Sequence, residues 1–413
     1  MNRTARIGIL CVSVAIFGYA GIGHVLGRTT DDKAYKSLGV YAEVLQKVQQ
    51  DYVDDPNMRT VTAGSLHGML ESLDAQSSYL TPREYDEYKK KLANAGTGET
   101  GLTLSKRYGY VIVLSVLPDS PGTKAGIRSG DIFESISGFT TRDMSVGQAL
   151  NLLTGQPGTG VKVAVIRRGK ATPEEVDVVR EKLAPPKIIA QKVDPDILVL
   201  RIPSLDAGRA DEIRNRLLDA EKQGTRKVIL DVRECGRGPV SEAISAARLF
   251  IPSGMLTTLR GQTVSTQVFS AEPKQVIWKN PVSVLIDATT SGAAEVLASA
   301  IAANHRGDVV GERTFGLASE QKLITLDDGA ALILTVANYY NPGGKAILEE
   351  GVTPTEVVRA VPEEDSEAAD EEAAPPAPET QKEPGLGPRP LSPEDPIFHR
   401  ALDLLKTPAK KAA

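Results

Sequence analysis

Along this chain the spacing of apolar positions changes several times, and each change predicts a different kind of element. From Ile7 to Leu26 the run is almost unbroken, interrupted by small or weakly polar residues and His24. Roughly 20 such residues can cross a bilayer as a helix. Arg3 and Arg6 precede the run and Asp31 and Asp32 follow it, so the positive flank is expected to stay inside. Residues 1–30 are therefore predicted to form an uncleaved single-pass membrane anchor, with the bulk of the chain extracytoplasmic (periplasmic). The alternative is a signal segment cleaved before secretion, for which Gly18 and Ala20 give a weak exit site. His24 reads as an interfacial residue at the end of the span.

Beyond the anchor, Tyr41, Val44, Leu45, Val48 and Tyr52 recur at helical spacing, and Leu66, Met69, Leu70 and Leu73 form a second face. His67 lies one residue off that face and reads as a surface or packing histidine. Thr81-Pro82 restarts a helix as an N-cap followed by proline in the first turn. Residues 33–96 are thus predicted to be helical. From 97 to 182 the pattern becomes short β-type runs between glycine turns: Tyr110–Val116, Ile132–Ile136, Val161–Arg167 and Val176–Arg180. From 183 to 361 strands and helices alternate, as Ile197–Ile202, Ala210–Gln223, Lys227–Val232, Ser241–Leu249, Val282–Ile286, Ala293–Ala303 and Ala331–Asn338. That alternation predicts an α/β core with helices against a sheet, within a mixed α+β multidomain chain. Residues 362–395 collapse into Glu, Ala, Pro and Asp, a composition expected to stay disordered. Over 396–413 a short helical pattern puts Ile397, Ala401, Leu404 and Leu405 on one side, to dock on the body or on a partner.

Composition narrows the function without naming it. The 413 residues leave room for two or three domains, and the net charge of −5 gives no basic patch for nucleic acid. Cys11 and Cys235 cannot make a disulfide framework. No His/Cys/Asp cluster has metal-ligand spacing, so neither a metal nor another cofactor is expected. Tyr340–Lys345 lacks the spacing of a phosphate-binding loop and reads as a tight turn. His305, in a helix-ending turn, is expected to be exposed.

Two stretches carry more specific information. Residues 118–138, PDSPGTKAGIRSGDIFESISG, with a helix over Ser145–Leu153 and the following GQPGTGVKVAVIRRG, resemble a PDZ domain. PDZ domains bind an extended peptide as an added strand, its terminal carboxylate held by loop amides. The matching loop here is Gly101-Leu102-Thr103-Leu104, and the implied partners are protein or peptide C-termini. Residues 282–304 run from an apolar strand through a small-residue turn into a helix carrying Glu295, an arrangement that can hold a nucleophile at a helix N-terminus.

QKVQQDYVDD at 46–55, GSLHGMLESLDAQSSYLTPREY at 64–85, the PDZ segment, GERTFG at 311–316 and LTVANYYNPGGKAILEEGVTPTEVV at 334–358 occur in that order. Together they resemble the carboxyl-terminal processing (tail-specific) serine proteases. The resemblance implies a serine nucleophile, a lysine base, a glutamine that orients the lysine, and a glycine-rich oxyanion turn. A serine hydroxyl needs such a base, and burial lowers a lysine pKa toward neutrality. The family's nucleophile stands three residues before the helix glutamate, which here is Gly292; its base follows Phe-Gly, which here gives Leu317; the glutamine is present as Gln321. Asp231-Val232-Arg233 is recognisable, but in the turn after it Gly236 replaces a proline and Arg237 a glycine, with Gly238 next.

The chain is therefore expected to be a catalytically degenerate member that retains peptide binding. Two alternatives stay open. One is an active endopeptidase using Ser291, although a shift of one residue at a helix start turns a side chain by about 100°. The other is a structural role, as an oligomer or paired with an active relative. Lys322 lies five positions beyond the base position. Cys235 could supply a thiol, or be a buried inert cysteine.

Overall fold

The computed structural model describes residues 31–359 and 395–407, except 95, 108, 143 and 168–171. The expected anchor, the acidic segment and the last residues of the tail lie outside these. Among the described residues no helix is long and apolar enough to cross a membrane. The chain divides into two compact units, up to Ser65 and from Leu66 onward.

In the first unit, α1 (Asp31–Asp51) leads to the start of α2 (Met58–Glu71), and Tyr41 and Ser65 hydroxyls hydrogen-bond at 2.6 Å. The apolar face expected on α1 is not a core face here: Val44 is 54% and Leu38 60% exposed. On α2 the predicted stripe splits as well. Leu70 is buried, whereas Met69 and Leu73 are exposed, Leu73 lying beyond the helix end.

The second unit continues with β1 (Ser78–Leu80), a strand inside the segment predicted to be wholly helical, and α3 (Pro82–Ala93). The α3 start follows the sequence signal. Thr81 caps it, Glu84 reaches back to the Thr81 N–H at 2.8 Å, and Pro82 fills the first turn. The β-domain holds β2 (Leu102–Arg107), β3 (Tyr110–Val116), α4 (Pro121–Lys124), β4 (Ile132–Ile136), β5 (Phe139–Thr140), α5 (Val146–Leu153), β6 (Gly160–Ile166) and β7 (Glu174–Val179). Its sheet runs β2-β3-β4-β6-β7 over a core that includes Val113, Phe133, Ile136 and Leu153.

The core domain is built from β8 (Ile189–Asp194), β9 (Ile197–Arg201), α6 (Arg209–Lys222), β10 (Lys227–Asp231), α7 (Val240–Arg248), β11 (Met255–Arg260), β12 (Gln267–Ser270), β13 (Val282–Ile286), α8 (Ala293–Ala303), β14 (Asp308–Gly311), β15 (Ser319–Thr325), β16 (Ala331–Tyr340) and β17 (Glu356–Val357). One sheet has the order β17-β14-β13-β10-β9-β8, with β9, β10, β13, β14 and β17 parallel. Its central strands β9, β10 and β13 read as nearly continuous apolar runs because both faces are covered. One face packs on α6, α7 and α8 in the main core; on the other, Ile197, Val199, Ile229, Leu285 and Val310 pack against α9 (Pro396–Lys406) through Ile397, Phe398, Ala401 and Leu405. The terminal helix thus docks on the body, and Arg233 to Asp395 at 2.7 Å ties it there. A second sheet joins β1, β16, β11 and β12, with β15 paired to β16.

Candidate functional site

Three loops meet at the C-terminal edge of the parallel sheet. After β13, Asp287 folds the chain by accepting the N–H groups of Thr289 and Thr290 at 3.0 and 2.7 Å. It also receives the Glu234 N–H at 3.3 Å, joining the 287–292 turn to the turn after β10. The Thr290 hydroxyl donates to the Val232 carbonyl at 3.1 Å, and the Phe315 N–H to the Thr290 carbonyl at 3.0 Å. The loop carrying the expected base position is thereby laid beside the loop carrying the expected nucleophile position.

Gly292 caps α8 with φ 62° and ψ −121°. This is a sharp strand-to-helix turn of the kind that presents a nucleophile, and a Cβ built there meets nothing within 4 Å. The position has room for a side chain and carries none.

Glu295, one turn into α8, holds the arrangement together. It is wholly buried. One carboxylate oxygen accepts the Gly292 N–H at 2.8 Å and the Leu317 N–H at 2.7 Å; the other accepts the Thr314 hydroxyl and the Gly316 N–H, both at 2.6 Å. Burial pushes its carboxyl above the usual range, opposed by these four donors. Sequence reasoning used Glu295 only to fix register. Its role as the clamp between positions 292 and 317 depends on contacts across 21 and 22 residues, which local spacing does not announce. The structure therefore brings Gly292 and Leu317 together. Gln321 lies exposed on β15, beside a bulge, and Lys322 is exposed on the same strand.

Ser291 sits differently from a nucleophile. It is buried, its N–H donates to the Cys235 carbonyl at 3.0 Å, and its hydroxyl has no hydrogen-bond partner among the described residues. That hydroxyl lies against Gly236, where an added Cβ would come within 2.7 Å of it. No base adjoins it.

The turn after β10 is tightly constrained. A Cβ at Gly238 would lie 2.1 Å from the Leu205 carbonyl oxygen, so this position requires glycine. The Arg237 carbonyl accepts the Leu205 N–H at 2.7 Å. Its guanidinium pairs with Glu99 at 2.6 Å and Asp206 at 3.2 Å, linking the altered turn to the entry of the β-domain. Cys235 is fully buried, and burial pushes its thiol up to about 12, opposed in part by the Arg237 backbone N–H acting on the sulfur. The thiol chemistry considered from sequence is thus unsupported, because the thiolate is the reactive form. Alkylation at pH 8 followed by peptide mapping is expected to leave Cys235 unmodified in the native protein and to label it fully in denaturant; labelling of native protein would overturn this.

Of the four residues expected to form the peptide-binding loop, Leu102, Thr103 and Leu104 begin strand β2, paired to β3, and Gly101 alone precedes it; Gly101 has φ 78°, and a Cβ there would meet Ser120 Cβ at 2.3 Å. This segment abuts the core, since a Cβ at Gly236 would lie 3.1 Å from Thr103 Cγ2. Thr103, at the start of β2, and the altered turn are neighbours. His67 is a packing residue, edge-on to Tyr79 at 5.5 Å, and His305 is exposed. Among the described residues no cluster could hold a metal ion.

Comparison with known proteins agrees with this architecture. Residues 196–358 match the model for peptidase family S41, and residues 112–167 that for the PDZ domain. The carboxy-terminal-processing protease of Bartonella bacilliformis is 28% identical over 79% of this chain and 76% of its own length. The carboxy-terminal processing protease of Bacillus subtilis is 27% identical over 86% of this chain and 77% of its own. Among solved structures, a photosystem II D1 C-terminal processing protease shares the fold with a TM-score of 0.64, at 23% identity, covering 78% of this chain and 92% of that one.

Proposed function

Because the chain belongs to the carboxyl-terminal processing proteases with a PDZ domain, we propose that it is a catalytically inactive member that binds peptides or proteins. It would be held at the membrane by residues 1–30, with its folded part extracytoplasmic. The observation that carries this reading is the single Glu295 oxygen bonded to both Gly292 and Leu317. The family's nucleophile and base positions are side by side, and the residues there can neither attack a carbonyl nor take a proton. The buried, unpartnered Ser291 gives no support to a displaced nucleophile.

The test offers the purified full-length chain an unstructured protein with an apolar C-terminus. Binding without cleavage is expected. Cleavage that disappears in Ser291→Ala would overturn the reading.

A further inference from the structure

The β-domain is an insert, and the chain enters and leaves it at one root. There the Glu99 N–H donates to the Glu181 carbonyl at 2.8 Å, and the Glu181 N–H donates to the Glu99 carbonyl at 3.0 Å. Lys124, in α4, pairs with the Glu181 carboxylate at 2.6 Å. These bonds make the root part of the β-domain as one body.

Two sides of that body meet the rest of the second unit, and they are held differently. On the α5 side the Gly147 N–H donates to the Ser78 hydroxyl at 3.2 Å, the Gln148 amide to Glu84 at 2.7 Å, and Lys91 to the Asn151 side chain at 2.8 Å. Lys106 of β2 adds a pair with Glu71 at 2.6 Å. On the other side lies the turn after β10. A Cβ on Gly236 would come within 2.9 Å of the Ser115 hydroxyl and 3.1 Å of Thr103 Cγ2, so this seam is close. The buried apolar cores of the two domains nevertheless form separate clusters. Domains without a large shared hydrophobic interface are expected to move relative to each other.

Arg237 bridges this seam. Its Nη1 meets Glu99 at 2.6 Å on the β-domain, and its Nε meets Asp206 at 3.2 Å on the core. Asp206 is itself held by the Ser204 hydroxyl at 2.7 Å, and the Arg237 carbonyl accepts the Leu205 N–H at 2.7 Å. The guanidinium is therefore aimed from the core side, and its planar fork loses little freedom in taking Glu99 as well. Arg237 stands where the family resemblance places a glycine, and a glycine has no side chain to make this bond.

We infer that Arg237 is a latch: it holds the root of the β-domain against the turn after β10, and its release lets the β-domain swing on its α5 contacts as a rigid body. The latch is separate from peptide binding and from the loss of nucleophile and base. The substitution that took a glycine out of the turn also closed the seam beside it.

The experiment places spin labels at Lys162→Cys on β6 and Lys222→Cys on α6, both exposed positions. It uses the full-length chain carrying Cys11→Ser, with Cys235 buried, and reads the label-to-label distance by pulsed electron paramagnetic resonance. The parent is expected to give one narrow distance. Glu99→Gln leaves the turn's own residues unchanged and should add a second distance. The fraction outside the main peak is expected to rise about three- to fivefold, the reach of one partly exposed ion pair. Arg237→Gly should add the same second distance. Both changes together should do no more than either alone, because they remove one bond. Amide exchange across the β-domain sheet is expected to stay at the parent rate in every variant. A distribution that neither single substitution alters overturns the inference, as does a double variant whose effects add. Faster exchange throughout the β-domain sheet also overturns it, because the insert would then be loosening internally rather than swinging.

Discussion

Glu295→Ala is expected to destabilise the protein by about 3–5 kcal/mol, in the range of substitutions that break a buried polar network. The side chain is inaccessible to water and accepts from Gly292, Thr314, Gly316 and Leu317. Removing it leaves three buried or half-buried backbone N–H groups without an acceptor, each costing about 1–3 kcal/mol when solvent cannot reach it. The Thr314 hydroxyl keeps the Val352 N–H that it accepts at 2.7 Å, but its own proton also loses its acceptor. Glu295→Gln separates charge from shape. Its one oxygen can serve Gly292 and Leu317, and its NH₂ can donate to Thr314, but the Gly316 N–H then faces a donor. A loss of about 1–3 kcal/mol is expected for that variant. Denaturant unfolding gives the totals, and amide exchange at residues 292, 316 and 317 locates them. An alanine variant within about 1 kcal/mol of the parent would show that the network contributes little.

This clamp also marks the limit of what the sequence disclosed. The capped start of α3 was legible because Thr81 and Pro82 are adjacent in the chain. The β13-turn-α8 unit was legible because apolar strand, small turn and helix follow one another directly. The second sheet was less so. Ser78 pairs with Ile333, and no local pattern states a register across 255 positions. Period alone also misjudged burial: Met69, Leu73 and Val44 fit a helical stripe, yet among the described residues they are exposed. At the site, residue identity named the altered positions 292, 317, 236 and 237. Their arrangement around one buried carboxylate required the fold.

Gly292→Ser combined with Leu317→Lys is expected to give little peptide hydrolysis and to lower stability by about 1–3 kcal/mol. The stability cost comes from the backbone. Position 292 has φ 62° and open space at Cβ, so a serine fits sterically but is held in a conformation that side-chain-bearing residues rarely adopt. Glycine avoids that strain. The base is not the limiting element. A lysine at the half-buried position 317 would share a cavity with Lys106, Arg107 and Arg313 and also with Asp74 and Glu349; burial and the cations lower a lysine's pKa and the two carboxylates oppose that. The limit is the turn after β10. Arg237 is tied to Glu99 and Asp206, its backbone N–H acts on Cys235, and Gly238 is pinned beneath Leu205. Such a turn is not free to offer its N–H to a developing oxyanion, and losing one such donor costs roughly 10²–10³ in rate. Adding Arg237→Gly is therefore expected to raise turnover of an unstructured substrate by about that factor over the double variant. Robust turnover by the double variant alone, with no further gain from the third change, would mean that the existing turn already supplies the donors and that only the two side chains are missing.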